Sequence, residues 1–389
     1  MTTICADQVI PRTGGWAASG TMAATVFTVV TAEMLPVGLL TPMSTSLQVS
    51  EGTAGLTLTV TGIVSALAAP LLPLVLGKLD RRTVMVGLLV LLAAAGLLAA
   101  AAPNFGTLMA ARVLMGISIG GVWLFTVGLA RRVVPEHAAG PATSLIFSGI
   151  GIASVLGIPA GVYVSELVGW RWAFAAVGLV SGALAVALAF LLPPLAAEKA
   201  VRLSDVGEVL KLKQLRVGLA LVALLVTGHF AAYTYIRPLL EKQAGIAPAL
   251  IGTLLLAYGV AGIVGNFVAG ALRPARAIAV IAVGIAAVAV LMPFAGTTIA
   301  GALILLLAWG FAHGGTSVST QAWGHAAAPR APEASSAVLV GVYNGSIALG
   351  AFAGGQVADH AGTTTVTWLP AVLATAALVV VLANRRQRG

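Results

Sequence analysis

Charge is scarce in this chain. Only 8% of its 389 residues are Asp, Glu, Lys or Arg, against roughly 25% in a soluble domain, too few to cover a water-facing surface. Acids are scarcer still, 12 against 21 basic residues. Cys5 is the one cysteine, which excludes an internal disulfide scaffold. There is no glycine loop ending in Lys-Ser/Thr to cradle a phosphate, so ATP hydrolysis is unsupported. The five histidines lack metal-ligand spacing. Gly345-Ser346 sits in an apolar run, without the strand-turn-helix context of a hydrolase elbow. Neither an enzyme, a cofactor nor a metal site is expected. What is abundant is apolar: 59% of the chain is hydrophobic, which excludes disorder. The 46 glycines suit helices packed closely in lipid.

A helix needs about 20 apolar residues to cross the hydrocarbon core. Twelve such runs lie near 20–43, 53–76, 83–102, 106–130, 139–165, 171–193, 217–239, 247–271, 276–295, 297–323, 335–357 and 364–383. They lack the period-two alternation of a membrane barrel. With both termini on one side, 17 of the 21 Lys and Arg fall on that side and Arg171, Arg237 and Lys242 on the other. The bias predicts cytoplasmic termini, accounts for the net charge of +9 and makes a nucleic-acid partner the weaker explanation. The start of the chain does not read as a cleavable signal, because Glu33 interrupts its apolar run. The expected organisation is a tail (1–19), a six-helix bundle (20–193), a polar linker (194–216), a second bundle (217–384) and a tail (385–389). All of it is α-helical.

The halves match. Shifting the sequence by 193 lays Gly77 on Gly270, Gly157 on Gly350, Gly161 on Gly354 and Gly169 on Gly362; a shift of 194 lays Gly116 on Gly310, Gly120 on Gly314 and Pro135 on Pro329. Two parallel six-helix repeats are a transporter architecture.

Five stretches carry a family resemblance: Thr31-Ala-Glu33-Met-Leu-Pro36-Val-Gly38-Leu-Leu; Gly77-Lys78-Leu79-Asp80-Arg81-Arg82; Arg112-x-x-x-Gly116-x-x-x-Gly120-Gly121; Gly149 with Gly157-Ile-Pro159-Ala-Gly161; and Gly169-Trp170-Arg171-Trp172-Ala-Phe174. The chain resembles the major facilitator superfamily, and within it the twelve-helix drug:proton antiporters of the arabinose-efflux-permease-like branch. The resemblance implies a multi-pass protein of the bacterial inner membrane, working as a single subunit and exporting small organic molecules against protons. It implies gating roles for Gly77, Asp80, Arg81, Arg82, Gly149, Gly157, Pro159 and Gly161, the last four packing against the second half. Anchored on Arg81-Arg82, however, the family's loop acid falls at Gly77, so Asp80 is displaced by three residues.

Glu33 is the one carboxylate well inside a run. Such acids are costly in hydrocarbon and usually functional. Burial favours the neutral acid and a nearby cation the carboxylate, so an acid between these pressures loads and releases a proton as its surroundings change. Arg112 is the expected counterpart, because guanidinium keeps its proton. The bland alternatives are a hydrogen-bonded acid at a helix end and an arginine snorkelling to the headgroups. For substrate, Trp123, His229, Tyr233, Trp309, His313 and Asn344 are expected to line a mixed aromatic-polar pocket with Tyr258. Each histidine alone reads more readily as a packing residue. The leading reading is a proton-coupled drug exporter. A sugar or nucleoside exporter, or a symporter, is the alternative within the fold; a non-transporting membrane receptor or structural protein is the alternative of another class.

Overall fold

The computed structural model describes residues 12–76, 79–195 and 203–386. Among them there are helices and no strands. Twelve helices are long and apolar enough to cross a membrane: Gly15–Leu47, Glu51–Ala69, Arg81–Ala100, Phe105–Thr126, Glu136–Val168, Trp170–Leu191, Lys213–Tyr233, Pro248–Gly270, Pro274–Ala295, Ile299–Ala327, Ala334–Ala361 and Thr363–Asn384. They are called the first to twelfth spans below. Local chemistry starts several of them. Asp80 and Asn104 cap the third and fourth spans by accepting main-chain N–H groups, and Thr298 caps the tenth. Pro248, Pro274 and Pro332 sit in first helical turns, where a missing N–H costs nothing.

Three boundaries differ from expectation. The first helix begins at Arg12, so residues 12–19 are its opening turns and not a tail. The seventh span begins at Lys213, and the expected linker holds a short helix, Leu203–Lys211. Its Val209 packs on Leu215, Ala328 and Ala334 at the base of the second half. The tenth span is two helices meeting at Gly315, Ile299–Gly314 and Thr316–Ala327.

The buried apolar residues form two main clusters. One is drawn from the first and the third to sixth spans. The other is drawn from the last six, together with Val37, Leu40, Ala54, Leu58, Ile158 and Val162 of the first half, which therefore lie at the seam. Glycines set the close crossings and do so alike in both halves. Gly157 meets Thr31 and Gly161 meets Leu35; Gly350 meets Thr227 and Gly354 meets Ala231. Gly116 and Gly120 lie on the second span, and Gly310 and Gly314 on the eighth. Gly169 and Gly362 end the fifth and eleventh spans with φ of 96° and 90°, a conformation open to glycine and strained for other residues. The duplication read from spacing is thus a duplication of contacts.

Candidate functional site

The first span contains two prolines, and each leaves a main-chain oxygen one turn earlier without its helical donor. Pro36 frees the oxygen of Ala32, and Arg112 Nη1 donates to it at 2.8 Å. Arg112 also donates to Glu33 O (3.1 Å) and Thr57 O (2.9 Å). The guanidinium is fully buried and ties the first, second and fourth spans together. It does not snorkel. Pro42 frees the oxygen of Gly38, and Arg237 Nη1 from the other half donates to that one, also at 2.8 Å. The two breaks in one helix are filled by two arginines, one from each half.

Glu33 is 4% exposed. Arg112 takes its main-chain oxygen, and its Oε1 accepts no hydrogen bond from any described residue. Arg112 and Tyr343, on the eleventh span, are within electrostatic range of the carboxyl. The acid therefore lies inside the protein, facing the seam between halves.

Four of the six expected substrate residues come together. His229 and Tyr233 are one turn apart on the seventh span, as are Trp309 and His313 on the tenth. His229 stacks on His313 with ring centroids 3.3 Å apart and on Tyr233 at 4.8 Å. Tyr258, from the eighth span, stacks on Tyr233 at 4.8 Å. Trp309 stands edge-on to His229 at 5.5 Å. Trp123 is not part of this group: it packs, half-buried, against the first half's own apolar core. Helical spacing put it on Arg112's face, and that face is turned inward to the second span, where Gly116 meets Thr61 and Val64. Asn344 is nearly buried on the eleventh span, its main chain against Gly62 of the second.

The expected gating residues divide. Gly77 lies outside the described residues. Asp80 accepts from Arg82 N, Thr83 N and Leu195 N, Arg82 donates to Ala189 O, and Arg81 lies over the Phe125 ring at 4.7 Å. This turn pins the third span to the end of the sixth within one half. The fifth-span stretch does pack against the eighth span of the second half, but not through its glycines. Gly149, Gly157 and Gly161 face the first span, through Ala23, Thr31 and Leu35, not the second half. Across the seam, the eighth span brings its own glycine: Gly259 lies against Ser154 O and Val155. Those residues belong to a π-helical turn, Ala153–Gly157, just before Pro159. A wide turn accommodates the missing proline donor.

Sequence reading missed the closure of the far end, opposite the termini. After the seventh span breaks at Thr234-Tyr235, a short helix, Ile236–Ala244, crosses the seam. Arg237, 3% exposed, bonds Glu166 at 2.7 Å and Glu241 at 2.8 Å. Glu241 accepts from Thr41 of the first span at 2.7 Å. Lys242 pairs with Glu51 at 2.9 Å, and Asp359 accepts from Ser50 and Gly52 N. Arg237 followed four residues later by Glu241 was the available signal.

Helical repeats, a buried acid at the seam, a ring cluster in the second half and a bonded far end are the build of a multi-pass membrane transporter. A family model described as Major Facilitator Superfamily matches residues 21–355, and the chain belongs to that superfamily. It is 32% identical over 391 residues to "Transcription regulatory protein OpdE" of Pseudomonas aeruginosa (strain PAO1), with 98% of this chain and 96% of that protein covered. It is similar in fold to the crystal structure of a bacterial homolog of the human lysosomal transporter Spinster, inward-facing and unoccupied. There the TM-score is 0.71 at 13% identity, covering 95% of this chain and 94% of that one.

Proposed function

We propose that the protein is a proton-coupled exporter of small organic, drug-like molecules across the bacterial inner membrane, working by alternating access with cytoplasmic termini. Glu33 carries the proton. The observation supporting this is a carboxyl buried at the seam, with one oxygen free of hydrogen bonds to the described residues, on a helix whose proline break is held by Arg112. Rocking of the halves changes what surrounds that carboxyl, and a changed environment is what makes an acid release or take a proton. One pH unit across the membrane supplies about 1.4 kcal/mol per proton. The membrane potential adds about 2.3 kcal/mol per 100 mV for each charge moved. The Lys and Arg bias supports the orientation.

The second reading is a membrane receptor that senses its ligand without moving it. The name of the Pseudomonas relative, a transcription regulatory protein, favours it. Purified protein in liposomes, given a panel of antibiotics, sugars and nucleosides, decides between them. Substrate-dependent proton flux supports the exporter. Saturable binding with no proton flux for any binder supports the receptor.

A further inference from the structure

We propose that the ring cluster of His229, Tyr233, Tyr258, Trp309 and His313 selects a neutral, planar heteroaromatic substrate that presents a hydrogen-bond acceptor beside a donor. This deepens the transporter reading and rests on it. The first argument is shape. His229, Tyr233 and Tyr258 lie nearly parallel, 24–26° apart in plane, with centroids 4.8, 4.8 and 6.5 Å apart around a corner at Tyr233, and His313 lies flat on His229 at 3°. Trp309 forms a wall across them, at 77° to His229, 79° to Tyr233 and 88° to Tyr258. A flat ring meets such near-parallel faces face to face, whereas a saturated ring presents axial hydrogens and loses the stacking contact.

Main-chain packing fixes the cluster. Gly310 meets the main chain of Tyr258, and Gly314 that of Gly262. These close crossings of the eighth and tenth spans bring Tyr258 level with Trp309. The seventh span adds its two rings from successive turns.

The second argument is hydrogen bonding. Trp309 and His229 are 3% and 1% exposed. Trp309 Nε1 and His229 Nδ1 are buried and make no hydrogen bond to any described residue. Buried polar atoms ordinarily have partners, and unpaired ones carry a desolvation cost. His313 Nδ1 is differently placed, with Thr316 Oγ1 at 3.4 Å. A substrate giving an acceptor to the indole N–H and a donor to His229 Nδ1 satisfies both. A site built around such groups rejects isosteres that lack them.

The third argument is charge. The seventh, eighth and tenth spans contain no Asp or Glu, and the buried acid of the first span, Glu33, already has the Arg112 charge beside it, so a cationic ring has no free counterion at the cluster. The inferred ligand is therefore neutral.

The test uses full-length protein in lipid nanodiscs and direct calorimetric binding of four probes. Carbostyril is planar and neutral and carries adjacent N–H and C=O groups. Naphthalene keeps the plane without them, caprolactam keeps the amide without aromaticity, and N-methylquinolinium keeps the plane with a positive charge. Carbostyril is expected to bind saturably, and each of the other three at least about tenfold more weakly. Trp309→Phe and His229→Phe each keep a ring and are expected to weaken carbostyril about tenfold while leaving naphthalene unchanged. Equal binding of carbostyril and naphthalene by the unaltered protein overturns the proposal whatever the variants do. So does carbostyril binding that is indifferent to both substitutions. Carbostyril bound in this pattern without proton flux supports the site and removes the export reading. Proton flux driven by other compounds while carbostyril fails to bind overturns the site and leaves export standing.

Discussion

The first and seventh spans occupy the same place in their halves but are built for different work. Their glycine contacts, Thr31 and Leu35 in one and Thr227 and Ala231 in the other, align Glu33 with His229 and Pro42 with Pro238. At that shared position one half has an acid beside a buried arginine, and the other has an imidazole in a stack of rings. The scaffold was copied and the chemistry diverged. On this account the first half handles the proton and the second handles the substrate. The Pro42 and Arg237 clamp joins the two at the far end.

The comparison is broken most severely at Arg112. Arg112→Ala strands the Ala32 oxygen and takes a donor from those of Glu33 and Thr57 in the interior of the first half, so a loss of about 3 kcal/mol is expected in unfolding measured in detergent. Pro36→Ala returns a helical donor to Ala32. The double variant is therefore expected to be more stable than the sum of the single effects by about 1 kcal/mol. Strict additivity contradicts the proline-to-arginine linkage. Next is the clamp. Arg237→Ala removes a buried charge bonded across the seam. It is expected to cost the closed far end about 2 kcal/mol, roughly thirtyfold in the ratio of closed to open. Spin-label distances between Thr45 and Thr364 read that ratio, and an unchanged distribution argues against a clamp. The glycines sharpen the likeness of the halves. Gly157→Ala and Gly350→Ala are each expected to cost about 1–2 kcal/mol. A loss in only one half contradicts equivalent packing. The smallest effect lies outside the comparison: Lys211→Ala opens an exposed pair with Glu208 and is expected to change thermal unfolding hardly at all.

Hydropathy carried the twelve spans, since lipid imposes length and apolarity on every crossing. Glu33 and Arg112 were legible because charge inside an apolar run is conspicuous. The ring cluster was legible in part, because His229 with Tyr233 and Trp309 with His313 share helical faces. Which face turns inward depends on neighbouring helices, and this misled the reading of Trp123 and of the fifth-span glycines. The breaks at Thr234-Tyr235 and Gly315 are each followed by more polar sequence, Arg237 to Gln243 and Thr316 to Gln321, which reads equally as the fading end of a span. Arg237 was overlooked because an arginine near a span end looks the same in sequence whether it faces headgroups or a buried carboxylate.

The most direct measurement is pH-gradient-driven transport in proteoliposomes, comparing the unaltered protein with Glu33→Gln and His229→Gln. The account predicts that Glu33→Gln abolishes gradient-driven accumulation while substrate counterflow without a gradient persists, and that His229→Gln changes apparent substrate affinity with coupling intact. Full gradient-driven accumulation by Glu33→Gln would contradict it.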